Sequence, residues 1–177
     1  MSLGLADIKS ANSDEALFKL LSAELNHRLP KSVHDNYDVL VQSVRGLPRG
    51  LRAMAAIHRL DVSMAMDDLG WHFFNFYHRG LCDETKLGLR ELEALEVVEV
   101  FEQALAKIEP NWEKIGRLRE ESPNAFANWY DASDLGAALK PLNKRLWEIC
   151  ASSPQYGLMH FWLIYARKYP ERVLENQ

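Results

Sequence analysis

The segment from Leu69 to Arg79 constrains the fold of this chain more than any other. Five aromatic side chains lie within it: Trp71, Phe73, Phe74, Phe76 and Tyr77. At about 3.6 residues per turn they cover nearly every side of a helix, and a helix that is apolar all round is buried. We therefore predict a central aromatic helix that ends at Gly80, with Asp83 or Thr85 capping the next helix.

The following segment, Lys86 to Ile108, predicts one long amphipathic helix. Its apolar residues recur at steps of three and four, which places them on one face: Leu92, Leu95, Val98, Phe101, Leu105 and Ile108. The opposite face is acidic, and two carboxylates just before the segment extend it, giving a predicted partner-binding set of Asp83, Glu84, Glu91, Glu93, Glu96, Glu99 and Glu102. A charged face opposite an apolar one is also the ordinary solvated side of a surface helix, so both interpretations stay open.

The rest of the chain shows the same helical spacing. Ser13 is a typical N-cap for the first helix, and Pro141 predicts a helix start rather than a helix interior. No segment alternates apolar and polar residues as a half-buried strand does. We predict an all-α fold of about seven or eight helices, with one domain over residues 13–177 and a loose tail over residues 1–12.

Composition places the chain among globular proteins. With 177 residues, of which 47% are hydrophobic, it can bury one substantial core without metal or disulfide support, and we predict no cofactor. Cys82 and Cys150 are far apart in sequence, which predicts reduced thiols and a cytoplasmic location. The sequence shows neither a membrane-spanning stretch nor a signal peptide, so we expect no membrane binding.

The net charge of −4 is distributed unevenly. Residues 1–60 hold 8 Lys and Arg against 6 Asp and Glu, residues 61–125 hold 7 against 14, and residues 126–177 hold 6 against 5. The three parts therefore carry +2, −7 and +1. An acidic middle argues against direct nucleic-acid binding, which needs a basic surface, and favours a basic protein partner.

The common enzyme motifs are missing from the sequence. It contains no glycine-rich phosphate loop, nucleophile elbow or His-Glu-x-x-His segment, and we expect a protein that is not an enzyme. One enzymatic alternative is an all-helical metal-dependent phosphohydrolase of the His-Asp type, with candidate ligands His27, His34, Asp35, His58 and Asp61. Its ligand spacing is unfavourable, because His27 precedes His34 by only seven residues.

Two stretches resemble a known family. The first is MAMDDLGWHFFNFYHRG followed by LRELEALEVVEVFEQAL, and the second is LNKRLWEI followed by YARKYPERV. They are similar to the helical domains typified by a DNA-mimic protein that binds a transcriptional regulator. The shared motifs are residues that shape helices and turns, so the resemblance bears on the fold more than on the function.

The resemblance implies an all-α, non-enzymatic binding protein. For one kind of member of this family, it implies that carboxylates are presented in place of DNA phosphates to a DNA-binding protein. An immunity or antitoxin-like inhibitor of a basic nuclease would use the same charge and stays open as an alternative. The oligomeric state is also left open, with a homodimer among the options.

Overall fold

The structure is a computed structural model that describes residues 3–30, 32 and 36–175. Over those ranges the chain is helical and contains no strand, as the sequence predicts. Among the described residues, no helix has both the length and the apolarity needed to cross a membrane. The helices are α1 Leu5–Ser10, α2 Asp14–Arg28, α3 Tyr37–Arg45, α4 Arg49–Met66, α5 Leu69–Asn75, α6 Arg79–Glu91, α7 Leu95–Ile108, α8 Trp112–Glu121, α9 Pro123–Asp131, α10 Asp134–Ala151, α11 His160–Lys168 and α12 Pro170–Val173, with 3-10 turns at Glu109–Asn111 and Gly157–Met159.

Helix α4 lies at the centre of the fold. Twelve of its 18 residues are buried, and it packs against α2, α3, α5, α6, α10, α11 and α12. Its closest neighbour is α6, because α6 presents Gly88 to α4: a Cβ at this position would lie 2.8 Å from the Ala53 carbonyl oxygen. The aromatic helix predicted as the centre packs on one side of α4 instead.

The aromatic segment forms a shorter helix than predicted. Helix α5 ends at Asn75, and Gly80 lies in the first turn of α6, whose N-cap is His78 rather than Asp83 or Thr85. The helix stops early where Tyr77 leaves it and stacks on Trp112 at a centroid distance of 4.5 Å. The chain therefore turns toward α8 before it begins α6.

Burial of the aromatic side chains agrees with the prediction for Phe73 and Phe74. Phe73 has no exposed surface, and the Phe74 ring stacks on Phe126 of α9 with centroids 4.4 Å apart. Trp71 is half-buried and meets the edges of Phe74 and Phe126 at 5.2 and 5.0 Å. Because Phe126 belongs to α9, both Trp71 and Phe74 pack against that helix.

The predicted helix Lys86–Ile108 is two helices, α6 and α7, separated by a turn at Glu93. Glu93 has φ of 58°, its N–H donates to the Arg90 carbonyl at 3.1 Å, and the Ala94 N–H donates to the Leu89 carbonyl at 2.9 Å. These two bonds form a Schellman motif, which usually has glycine at the left-handed position. A glutamate there gives no helix-end signal in the sequence, so the prediction missed the break.

Two smaller expectations also differ from the structure. The segment predicted as a loose tail contains α1, and Ile8 and Ala11 within and beside this helix are buried in the core. Pro141 lies inside α10 rather than at a helix start. Ser13 is the N-cap of α2, as predicted, and accepts a hydrogen bond from the Ala16 N–H at 3.1 Å.

The Phe74→Ala substitution should lower the free energy of unfolding by about 3 to 5 kcal/mol, because it empties a buried site against Phe126. Val39→Ala, on the exposed side of α3, should change it by less than about 0.5 kcal/mol. Urea unfolding followed by circular dichroism measures both values. A loss below about 1 kcal/mol for Phe74→Ala would contradict this packing.

Candidate protein-binding surface

Glu84 is the one member of the predicted set that is buried, with a side-chain exposure of 2%. It accepts from Arg45 Nε at 2.8 Å and from Arg52 Nε at 2.7 Å. A buried charge needs a partner, and the two guanidinium groups supply one for Glu84 at the α4–α6 contact. The Glu84 carboxylate is therefore occupied by internal partners and offers little surface to another protein.

Glu91 is partly buried at the end of α6 and joins three helices. Arg49 of α4 donates to both of its oxygens at 2.8 and 2.9 Å, and the Tyr165 hydroxyl of α11 donates at 2.5 Å. Burial, followed by the contact with Glu91, raises the pKa of Tyr165 above its ordinary value. This bidentate contact with Arg49 fixes α6 against its neighbours and leaves little hydrogen-bonding capacity on the Glu91 carboxylate for another protein.

Glu93 holds the turn between α6 and α7 against the end of α11. Its carboxylate accepts from Lys168 Nζ at 2.6 Å and from the Tyr169 hydroxyl at 2.7 Å. The hydrogen bond from Lys168 lowers the pKa of Glu93, and the bond from Tyr169 adds to this effect. The left-handed glutamate is thus fixed by side chains that lie more than 70 residues away in sequence.

The remaining predicted residues are solvent-accessible. Glu96 forms an ion pair with Arg145, Glu102 with Arg90, and Asp83 with Lys86 at 3.1 Å. Glu99 has neither an ion pair nor a hydrogen bond from a side chain in the ranges that the structure describes. Exposed pairs of this kind are worth about 0 to 1 kcal/mol each, so they do not lock the carboxylates in place.

Three solvent-accessible glutamates recur at every third residue of α7 and wind around its outer side, and we call them the α7 carboxylate row: Glu96, Glu99 and Glu102. Their spacing of three residues gives a rise of about 4.5 Å from one to the next. Glu99, in the middle of the row, is the member without a partner in the described part of the chain. The row is the part of the predicted acidic face that remains available to another molecule.

A groove runs beside the row between α6 and α7 and ends at Trp112. It has a volume of about 470 Å³. We call it the α6–α7 groove, and it is lined by Arg79, Cys82, Asp83, Lys86, Glu102, Leu105, Ala106, Glu109 and Trp112. Asp83 and Glu102 belong to the predicted set. The other lining residues were not predictable from the sequence, because the groove exists only when α6 and α7 are separate helices.

The acidic and glycine residues of the first family-like stretch serve the local fold. Asp68 caps α5 by accepting from the Trp71 N–H at 3.1 Å, and it also accepts from the Tyr130 hydroxyl at 3.0 Å and Asn143 Nδ2 at 3.1 Å. Gly70 allows the close approach of Tyr130, since a Cβ there would lie 2.3 Å from the ring. These residues join α5, α9 and α10.

The candidate ligands of the phosphohydrolase alternative do not form a site in the described ranges. His34 and Asp35 lie outside those ranges. Asp61 is buried and accepts from the Leu158 N–H at 2.6 Å, and burial raises its pKa. Among the described residues, no group of three or more His, Cys, Asp and Glu side chains is arranged to hold a metal ion.

A family model described as DMP19-like protein matches residues 45–167. The chain belongs to the DMP19-like protein family. The match runs from the end of α3 through nearly all of α11 and includes every residue of the predicted acidic face. Comparison with curated proteins gave no match, and comparison with solved structures gave none either.

Two charge-removing substitutions should separate the buried carboxylate from the exposed row. Glu84→Gln should lower the free energy of unfolding by more than about 2 kcal/mol, because it leaves two arginines facing a neutral amide in a buried contact. Glu99→Gln should change it by less than about 0.5 kcal/mol. Urea unfolding measures both, and equal losses would show that the two carboxylates share one environment.

Proposed function

We propose that this DMP19-like protein is a non-enzymatic binding module whose partner is a basic protein that docks on the α7 carboxylate row. The observation that carries the proposal is Glu99, an exposed carboxylate without a partner in the described ranges, placed between two further carboxylates on one helix face. Such a line of negative charge attracts a cationic surface over a distance of about 8 Å at physiological ionic strength.

The ion pairs of Glu96 and Glu102 are compatible with this role. Both carboxylates and their arginine partners are between 40% and 55% exposed, so water already weakens these pairs. A basic partner can add to such a pair or replace its arginine at low cost. The buried contacts of Glu84 and Glu91 hold the helices in place while the row exchanges partners.

A DNA-binding protein is the partner class that fits the row best. Its binding surface carries lysine and arginine side chains that contact phosphates, and each strand of a duplex carries one phosphate per about 3.4 Å of the duplex axis. Successive residues of the row rise by about 4.5 Å along the axis of α7, which is of the same order. Family membership favours this class, since the resemblance is to domains typified by a DNA mimic.

The test is capture from a lysate of the source cell by immobilised wild-type protein and two triple variants. The first variant carries Glu96→Gln, Glu99→Gln and Glu102→Gln, which removes charge and keeps side-chain shape. The matched control carries Glu113→Gln, Glu120→Gln and Glu121→Gln on α8, which removes the same charge from another exposed surface. Mass spectrometry identifies the captured protein, and duplex DNA is added as a competitor.

We expect wild type and the α8 control to capture the same basic DNA-binding protein and the α7 variant to lose at least about tenfold in affinity. Capture should weaken as salt increases, and duplex DNA should compete. Capture of a nuclease that depends in the same way on the α7 carboxylate row, on salt and on duplex DNA would assign the inhibitor role instead. Equal capture by both triple variants would contradict the proposal.

A further inference from the structure

The two walls of the α6–α7 groove carry opposite charge. Helix α6 contributes Arg79 and Lys86 to one wall, and the opposite wall carries Glu102 and Glu109. An ion pair between Arg79 and Glu109 crosses the groove near Trp112, and Glu102 is paired with Arg90 of α6, which lies outside the lining of the groove. The α6 wall also holds Asp83, which is paired along its own helix with Lys86 at 3.1 Å and so leaves the polarity between the walls intact.

The middle of the groove is apolar. Leu105 and Ala106 line it between Glu102 and Glu109, and the buried Cys82 lines it from α6. Burial raises the pKa of Cys82 to about 12, so its thiol is neutral at pH 7. Trp112 closes one end. Its ring is fixed between Tyr77, which stacks on it at 4.5 Å, and the Arg79 guanidinium, which lies 4.6 Å from the ring centre.

The lining of the groove sets the length of a matching ligand. Arg79 and Lys86, the first and last lining residues of α6, are seven residues apart, which corresponds to about 10 Å or two helical turns. Apolar residues between charged walls suit the docking of an amphipathic helix in a groove, where side chains at steps of three and four residues contact the floor.

We infer that the α6–α7 groove binds an amphipathic helix of the partner protein that carries acidic side chains on one side of its apolar ridge and basic side chains on the other. Charge complementarity selects this occupant. The acidic edge of the ligand faces Arg79 and Lys86, and the basic edge faces Glu102 and Glu109. A helix with one sign of charge on both edges would place like charges against one wall.

The inference rests on the proposed function, because Glu102 belongs both to the α7 carboxylate row and to the groove. The row attracts the partner, and the groove selects the segment that docks. The probe for the groove is a set of three synthetic helical peptides with the same leucine ridge. One carries lysine on one edge and glutamate on the other, the second carries lysine on both edges, and the third carries glutamate on both.

Isothermal titration calorimetry with the 177-residue protein should show that the mixed peptide binds at least about tenfold more tightly than either single-charge peptide. Ala106→Phe fills the groove and should weaken the mixed peptide at least about tenfold. Ala23→Phe, an exposed alanine on α2, is the matched control and should leave binding unchanged.

Lys86→Glu supplies a readout that general destabilisation cannot imitate. It should weaken the mixed peptide and strengthen the all-lysine peptide, each by about fivefold or more. Three results would overturn the inference: no saturable binding of the mixed peptide up to about 1 mM, equal binding of all three peptides, or equal effects of Ala106→Phe and Ala23→Phe. If lysate capture depends on the row but not on Ala106, the proposed function stands and the groove is not its docking site.

Discussion

The close contact between α4 and α6 determines where the rest of the structure lies. Gly88 brings the two helices together at Ala53, and Thr85 donates its hydroxyl hydrogen to the Leu81 carbonyl at 2.9 Å, so that it adds little polarity to the contact. Glu84 then crosses the edge of the contact to Arg45 and Arg52. Because α6 is fixed on its inner side, its outer side is free to form one wall of the groove. Burying a paired carboxylate there favours one register of α6 on α4, since other registers would leave the charge unpaired.

Long-range ion pairs redistribute the charge that the sequence places in the middle third of the chain. That third carries −7, and the outer thirds carry +2 and +1. Folding brings Arg49 to Glu91, Arg145 to Glu96 and Lys168 to Glu93, so bases from both ends of the chain neutralise much of the central excess. The acidic face is thereby reduced to a short row centred on Glu99. In the proposed function, electrostatic steering by these few exposed charges combines with the shape of the groove beside them.

The helical class, the cap at Ser13 and the buried aromatic side chains follow from spacing and residue type, and they are predictable from the sequence. The turn at Glu93 is not, because the residue that adopts the left-handed conformation is stabilised by Lys168 and Tyr169, which lie far away in sequence. The candidate site is also predictable only in part. The exposure of Glu99 follows from helical periodicity, while the burial of Glu84 depends on arginines of two other helices. The groove was not predictable, since it requires both the turn at Glu93 and the packing of α6 against α4.

The claim that the α6–α7 surface meets a partner is tested most directly by photo-crosslinking inside the source cell. A benzophenone amino acid replaces Gln103, an exposed residue of α7 beside the row, and in a second strain it replaces Ala23 on α2. Illumination should join the Gln103 derivative to one basic protein, and a variant that also carries Glu99→Gln should give much less of the adduct. The Ala23 derivative should give none. No adduct from Gln103, or the same adduct from both positions, would contradict the account.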